Sequence, residues 1–230
     1  MRVPRAEFRQ SLAACRDPFR ERVLSITPPS SFPFPELLPW GLVLLAYLLG
    51  GLMPGYWLVR ARTGDDVREQ GSGATGATNV GRKLGPWGFT VVLLLDALKG
   101  ALAVWLARLF CPGVSWVAFA AAFAVIVGHV WPVFLGFRGG RGVATLLGAW
   151  MVLLPASFIL CAPVFLVALF WVRRFTIAGL ICFSVLPTGA AWAANWQKLP
   201  ALWAFGCLIV VLVAHKEHLR RWLFPEQVAD

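Results

Sequence analysis

Charge is what this sequence has least of. Of its 230 residues 14% are charged and 59% hydrophobic, which leaves too few solvating side chains for a water-soluble globule of this size. With 11 acidic residues and no carboxylate pair inside the apolar stretches, a carboxylate-lined Mg²⁺ site is not expected unless a substrate supplies most of the ligands. The five cysteines contain no C-x-x-C pair, which removes a thiolate metal site and a disulfide framework. Cys161, Cys182 and Cys207 lie in apolar stretches and read as small hydrophobes. No G-x-x-x-x-G-K-[ST] loop occurs, so nothing points to nucleotide hydrolysis, and no G-x-S-x-G elbow marks a nucleophilic serine. No metal and no cofactor are expected.

Apolar runs are what is abundant. Between Lys83 and His215 the formal charges are Asp96, Lys99, Arg108, Arg138, Arg141, Arg173, Arg174 and Lys198, and the stretches between them are long enough to span hydrocarbon. The pattern predicts an all-α, polytopic integral membrane protein with about seven transmembrane helices. They fall near 37–60, 84–110, 114–135, 141–154, 156–172, 175–195 and 199–215. The fourth is short for a full crossing and ends at Pro155, so it reads as tilted, broken or tucked inside the bundle. Many of the 12 tryptophans, such as Trp40, Trp57, Trp87, Trp131 and Trp171, fall near span ends, as in an interfacial aromatic belt.

The net charge of +10 does not imply nucleic acid, because the basic residues are not clustered on a soluble domain. They sort by loop instead. The segments after odd-numbered spans carry Arg60, Arg62, Arg68, Arg82, Lys83, Arg138, Arg141, Arg173, Arg174, Lys216, Arg220 and Arg221, whereas the intervening loops carry Arg108 and Lys198. The positive-inside rule then places the basic side and the C-terminus in the cytoplasm and the N-terminus outside. Six arginines before residue 23 work against exporting that end. Residues 1–36 hold no apolar run of secretory length and read as an N-terminal extension whose Pro-rich end leads into the first span. Residues 37–223 form the membrane domain and 224–230 a C-terminal tail.

Three polar segments emerge on the cytoplasmic side of this topology: Gly71–Arg82 (GSGATGATNVGR), Gly136–Val143 (GFRGGRGV) and His215–His218 (HKEH). Backbone amides of a glycine-rich turn can converge on an anion. The hydroxyls of Ser72, Thr75 and Thr78 and the guanidiniums of Arg82, Arg138 and Arg141 add directional donors and charge. Phosphate is the ligand that fits. Gly71–Gly76 also matches G-x-G-x-x-G, but a dinucleotide fold needs a strand before it, and here a charged loop precedes and an apolar stretch follows. Asp96 and Lys99, three apart on one helical face, pair within the membrane, either as part of a site or as an anchor for the glycine-rich loops. His129 reads as a helix-packing hydrogen bonder. His215 and His218, at the end of the last span, suit phosphate binding or acid–base work.

GSGATGATNVGR, DALKG at 96–100, GHVWPVFLGFRGGRGVAT at 128–145 and HKEHLRR near the end resemble, in order and spacing, the PlsY (YgiH) family of acyl-phosphate:glycerol-3-phosphate acyltransferases. The likeness runs from about Tyr47 to Leu223. The His-x4-Asp signature of the other large class of glycerolipid acyltransferases is absent. The resemblance implies a multi-pass enzyme of the bacterial cytoplasmic membrane that moves a fatty acyl group from acyl-phosphate to sn-glycerol 3-phosphate, yielding lysophosphatidate for phospholipid synthesis. Both substrates would be met at the cytoplasmic face in contact with membrane lipid, with no obligate protein partner. It implies catalytic roles for Ser72, Arg82 and His215. The substrate phosphates would be bound by Ser72, Thr78, Asn79, Arg82, Gly139, Gly140, Arg141, Gly142, His215 and His218. The family usually has Lys at the position of Arg141, Asn at that of His218, and Gly-Ser where this chain has Gly50-Gly51. Alternatives to the enzyme are a diverged, non-catalytic paralogue and a membrane transporter or binder of a phosphorylated metabolite. A transporter would need a charged path to the outer face, which Arg108 and Lys198 alone do not make.

Overall fold

The computed structural model describes residues 36–173, 175–195, 198–216 and 219–220. Among them every regular element is helical: α1 Leu38–Gly50, α2 Pro54–Thr63, α3 Ala77–Phe110, α4 Ser115–Val130, α5 Val143–Leu153, α6 Phe158–Val172, α7 Phe175–Ser184, α8 Leu186–Ala193 and α9 Lys198–Ala214, with 3₁₀ turns at Val67–Glu69, Val133–Leu135 and Pro155–Ser157. Four stretches, Leu38–Thr63, Ala77–Phe110, Ser115–Leu135 and Pro155–Val172, are long and apolar enough to cross a bilayer. Val143–Leu153, Ile177–Trp192 and Lys198–Ala214 are shorter apolar helices.

Breaks in these helices follow from single residues. The first apolar run is interrupted at residues 51–53, because Pro54 lacks an N–H and opens α2 at its first turn. At Gly85 the backbone of α3 leaves helical space (φ 78°, ψ −171°), since the following Pro86 disfavours α geometry in the residue before it. α3 is therefore an eight-residue stub, 77–84, joined at a kink to a long apolar helix. The second half of the polar segment, expected as loop, is this stub.

Without water to drive apolar faces together, helices in a bilayer associate through close packing of small residues. Two crossings show it reciprocally. A Cβ on Gly100 of α3 would collide with the Thr145 carbonyl, and one on Gly148 of α5 with the Ala97 carbonyl. Likewise Gly50 of α1 abuts the Val125 carbonyl of α4, and Gly128 abuts the Tyr47 carbonyl. At the far end of the bundle Arg108 donates to the Val152 and Leu153 carbonyls, each at 2.6 Å, satisfying orphan groups at the end of α5. Trp150 of the short helix α5 is fully buried, while Leu94, Leu98, Leu166, Phe170, Trp171 and Leu202 are exposed. An apolar outer surface of this kind is suited to lipid and would be a liability in water.

Candidate active site

A cavity opens where the two glycine-rich segments and the end of α9 meet, lined among others by Ser72, Gly76, Ala77, Thr78, Asn79, Phe89, Leu93, Asp96, His129, Arg141, Gly142, Val143, Ala144 and His215. It is bounded by two helix starts. Gly76 is the N-cap of α3, and Gly142, in the left-handed region at φ 80°, is the N-cap of α5; neither end has a side-chain cap. Helix N-termini carry partial positive charge and outward-pointing N–H groups, so two of them lining one cavity favour an anion.

The first segment is built around Asn79. Its side-chain amide nitrogen lies 2.9–3.0 Å from the carbonyls of Val67, Gln70 and Ala74, and its oxygen accepts the Ser72 N–H at 3.0 Å. Asn79 is 4% exposed and its polar atoms already serve the loop. The structure places it as the organiser of the Ser72 turn, not as a free phosphate donor. Thr75, read from the sequence as a phosphate hydroxyl, is also buried, its hydroxyl on Met53 Sδ at 3.2 Å. Ser72 is half-buried and Thr78 exposed at the mouth. Arg82 is exposed and is not a wall residue of the cavity; a Cβ on Gly71 would lie 3.7 Å from its Nη1, so the guanidinium sits beside the Gly71–Ser72 turn.

The second segment folds back over α4. Gly139 N–H donates to the Val130 carbonyl at 3.2 Å and Gly140 N–H to the His129 carbonyl at 3.0 Å. These two amides, expected to face an anion, are engaged with the end of α4. A side chain at Gly140 would strike the His129 ring, and one at Gly139 the His129 carbonyl. The glycine pair is thus needed for close approach, and it delivers Arg141 and Gly142 to the cavity. The two segments are tied together twice, by Thr75 N–H to the Gly139 carbonyl at 3.4 Å and by Arg68 Nη1 to the Leu135 carbonyl at 2.9 Å. Arg68 also forks onto Asp66, at 2.7 Å, and lies over the Tyr56 ring at 5.0 Å. The Arg68 guanidinium holds the Asp66 carboxyl below its usual range. The sequence offered Arg68 only as a topology charge; its cross-loop role depends on Leu135, 67 residues away.

His215 is buried, and its Nδ1 lies 2.7 Å from the Val211 carbonyl. A carbonyl only accepts, so Nδ1 carries the proton and the ring is fixed in orientation. His218 lies outside the described residues.

Beneath the mouth is a buried polar cluster. Asp96 Oδ1 is 2.8 Å from Lys99 Nζ and 3.5 Å from His129 Nδ1, which in turn is 3.0 Å from Thr145 Oγ1. Lys99 Nζ also donates to the carbonyls of Gly50 at 2.9 Å and Leu52 at 2.7 Å. The lysine therefore anchors the break after α1, whereas Asp96 and His129 reach the cavity. At Gly51 a Cβ would lie 3.1 Å from the Phe134 ring, so a side chain there needs that ring to shift slightly.

Comparison with known proteins bears on the whole of this arrangement. The family model described as glycerol-3-phosphate acyltransferase matches residues 40–224. Glycerol-3-phosphate acyltransferase 1 of Desulfitobacterium hafniense is 42% identical over 183 residues, covering 79% of this chain and 89% of that protein. The corresponding protein of Myxococcus xanthus is 45% identical over 165 residues, covering 70% and 85%. The crystal structure of PlsY (YgiH), an integral membrane glycerol 3-phosphate acyltransferase, in its glycerol 3-phosphate form superposes with a TM-score of 0.75 at 32% identity, covering 81% of this chain and 92% of that one. The lysophosphatidic acid form gives 0.72 at 30% identity.

Proposed function

The chain belongs to the glycerol-3-phosphate acyltransferase family and has its integral membrane fold, and from that premise we propose that it transfers a fatty acyl group from acyl-phosphate to glycerol 3-phosphate, releasing lysophosphatidate and inorganic phosphate. The observation that carries this reading is the pairing of two helix N-termini, those of α3 and α5, across one cavity that also holds Ser72, Arg141 and His215. Such a cavity suits phosphate chemistry, and both substrates present phosphate.

In this reaction the 1-hydroxyl oxygen attacks the acyl carbonyl carbon, the bond from that carbon to the phosphate oxygen breaks, and phosphate leaves with the electron pair. The hydroxyl proton passes to a substrate phosphate oxygen. An acyl-phosphate is already activated, so the protein's part is to align two anions and neutralise their charge. Gly142 and Thr78, at the two helix starts, bind phosphate in this scheme. Arg141 supplies the fixed charge, Ser72 a hydroxyl and His215 an oriented ring, and Arg82 closes over the mouth from the Gly71 side. Gly139, Gly140 and Asn79 act by holding this set in place. His218 belongs with the phosphate set on sequence grounds. The acyl tail lies along the apolar walls near Phe89 and Leu93, where burial contributes about 0.8 kcal/mol per CH₂.

The same reading assigns seven crossings to residues 37–223, with the N-terminus outside, the C-terminus and cavity mouth cytoplasmic, and residence in the bacterial cytoplasmic membrane. The distribution of basic residues supports that orientation. The test is lysophosphatidate formation by the purified protein in lipid, given acyl-phosphate and labelled glycerol 3-phosphate. A folded protein that forms none with any chain length overturns the proposal.

A further inference from the structure

Three of the cavity's wall residues lie on one stripe of α3: Phe89, Leu93 and Asp96 at i, i+4 and i+7. Two are apolar. The third is a carboxylate 2% exposed inside a membrane bundle, and such a group is costly to keep there without a use. Its charge is matched by Lys99 at 2.8 Å, but Lys99 is satisfied as well by the Gly50 and Leu52 carbonyls. Anchoring the α1 break accounts for the lysine. It does not explain why the lysine's counter-charge should also line the cavity, in company with His129, Phe89 and Leu93.

A carboxylate accepts hydrogen bonds, and ionised phosphate oxygens, which also only accept, cannot supply them. The cavity is thus polarised. Two helix starts and Arg141 attract an anion at one part of the wall, and Asp96 offers an acceptor at another that no phosphate oxygen would approach. A ligand with phosphate at one end and hydroxyls at the other fits this polarity in one orientation. Building on the acceptor reading above, we infer that Asp96 is a specificity-determining residue that accepts a hydrogen bond from the 2-hydroxyl of glycerol 3-phosphate. The 1-hydroxyl, which must meet the acyl carbon, stays open to attack. His129, held by Thr145, and Lys99 position the carboxylate.

The experiment compares acceptors that differ by that hydroxyl alone, using the full chain in lipid. With the parent protein, 3-hydroxypropyl phosphate, which lacks the 2-hydroxyl and keeps the reacting one, should give kcat/KM at least about tenfold below glycerol 3-phosphate, since a lost bond to a charged partner weighs about that much. In Asp96→Leu, close in size and without an acceptor, the gap should shrink to within about twofold, while the KM for acyl-phosphate changes by less than about threefold. A purely structural role for Asp96 would lower both acceptors and the donor together and leave the gap intact. Equal turnover of the two acceptors by the parent overturns the inference without any variant, as does an unchanged gap in Asp96→Leu. If that variant does not fold, the parent's inhibition by n-propyl phosphate and 3-hydroxypropyl phosphate decides. Neither carries a 2-hydroxyl, so the inhibition constants of both should exceed the KM for glycerol 3-phosphate by about tenfold. Parity of either with glycerol 3-phosphate sinks it. No transfer to glycerol 3-phosphate at all by the folded parent would be a failure of the proposed function itself.

Discussion

The side-chain oxygen of Asn79 accepts the backbone N–H of Ser72 at 3.0 Å, so a residue on the first turns of α3 fixes a turn seven residues earlier. Asn79→Asp keeps the acceptor and sets a carboxylate against the carbonyls of Val67, Gln70 and Ala74 that the amide nitrogen now serves. The expected result is a drop in kcat/KM of at least about tenfold with about 1–3 kcal/mol lost from local stability. Limited proteolysis of the 64–76 segment alongside steady-state kinetics reads both. Unchanged cleavage and kinetics would show that the turn does not depend on Asn79.

Arg82→Ala should weaken or abolish transfer while leaving the folded yield intact, because in the proposed scheme this exposed guanidinium beside the Gly71–Ser72 turn serves ligand and not packing. Ser72→Ala should act in the same direction and less strongly, a neutral hydrogen bond contributing about 0.5–1.5 kcal/mol. Parent-like kinetics in Arg82→Ala would take that residue out of the site.

Gly148→Leu should lower the yield of folded protein sharply and Gly148→Ala measurably, since even a methyl at this position meets the Ala97 carbonyl. Thermal unfolding in detergent, compared with Gly41→Ala, where nothing lies within 4 Å of an added Cβ, gives the contrast. A Gly148→Ala protein as stable as Gly41→Ala would contradict the close α3–α5 crossing.

The Arg68–Asp66 pair predicts a pH dependence of loop order. Because the folded-state pKa of Asp66 is depressed, its stabilising effect is fully present above the ordinary value of 3.8 and is lost as pH falls through the lower folded value. Protease protection of the 64–76 segment should therefore hold down to about pH 4 and fade below it, and Asp66→Asn should remove that acid-sensitive step. The same acid profile in Asp66→Asn would assign the step to another group.

Much of the molecule could be read in the sequence because its signals are one-dimensional. Long apolar runs gave the helical membrane fold, and the polar segments Gly71–Arg82 and Gly136–Val143, with His215, do converge on one cavity. The brevity of α5 was visible in the shortness of the expected fourth span, 141–154, which ends at Pro155. Division of labour within the segments was not visible. Gly139 and Gly140 have the composition of an anion-binding turn, yet their amides bond to the end of α4. Asn79 has the chemistry of a ligand donor, but its partners are carbonyls of its own loop. Whether an N–H faces a ligand or a neighbouring carbonyl is decided by chain path, and no spacing rule reports it. Asp96 was legible as an ion-pair member, its place in the cavity wall only from the crossing of α3 against α4 and α5.

The central claim is that the cavity joins an activated acyl-phosphate to glycerol 3-phosphate by charge alignment, and product stoichiometry tests it most directly. Purified protein in lipid, supplied with acyl-phosphate and glycerol 3-phosphate, should release one inorganic phosphate for each lysophosphatidate formed. An acyl thioester offered in place of acyl-phosphate should support no transfer. Lysophosphatidate formed from the thioester alone, or phosphate released at the same rate without glycerol 3-phosphate, would contradict the account.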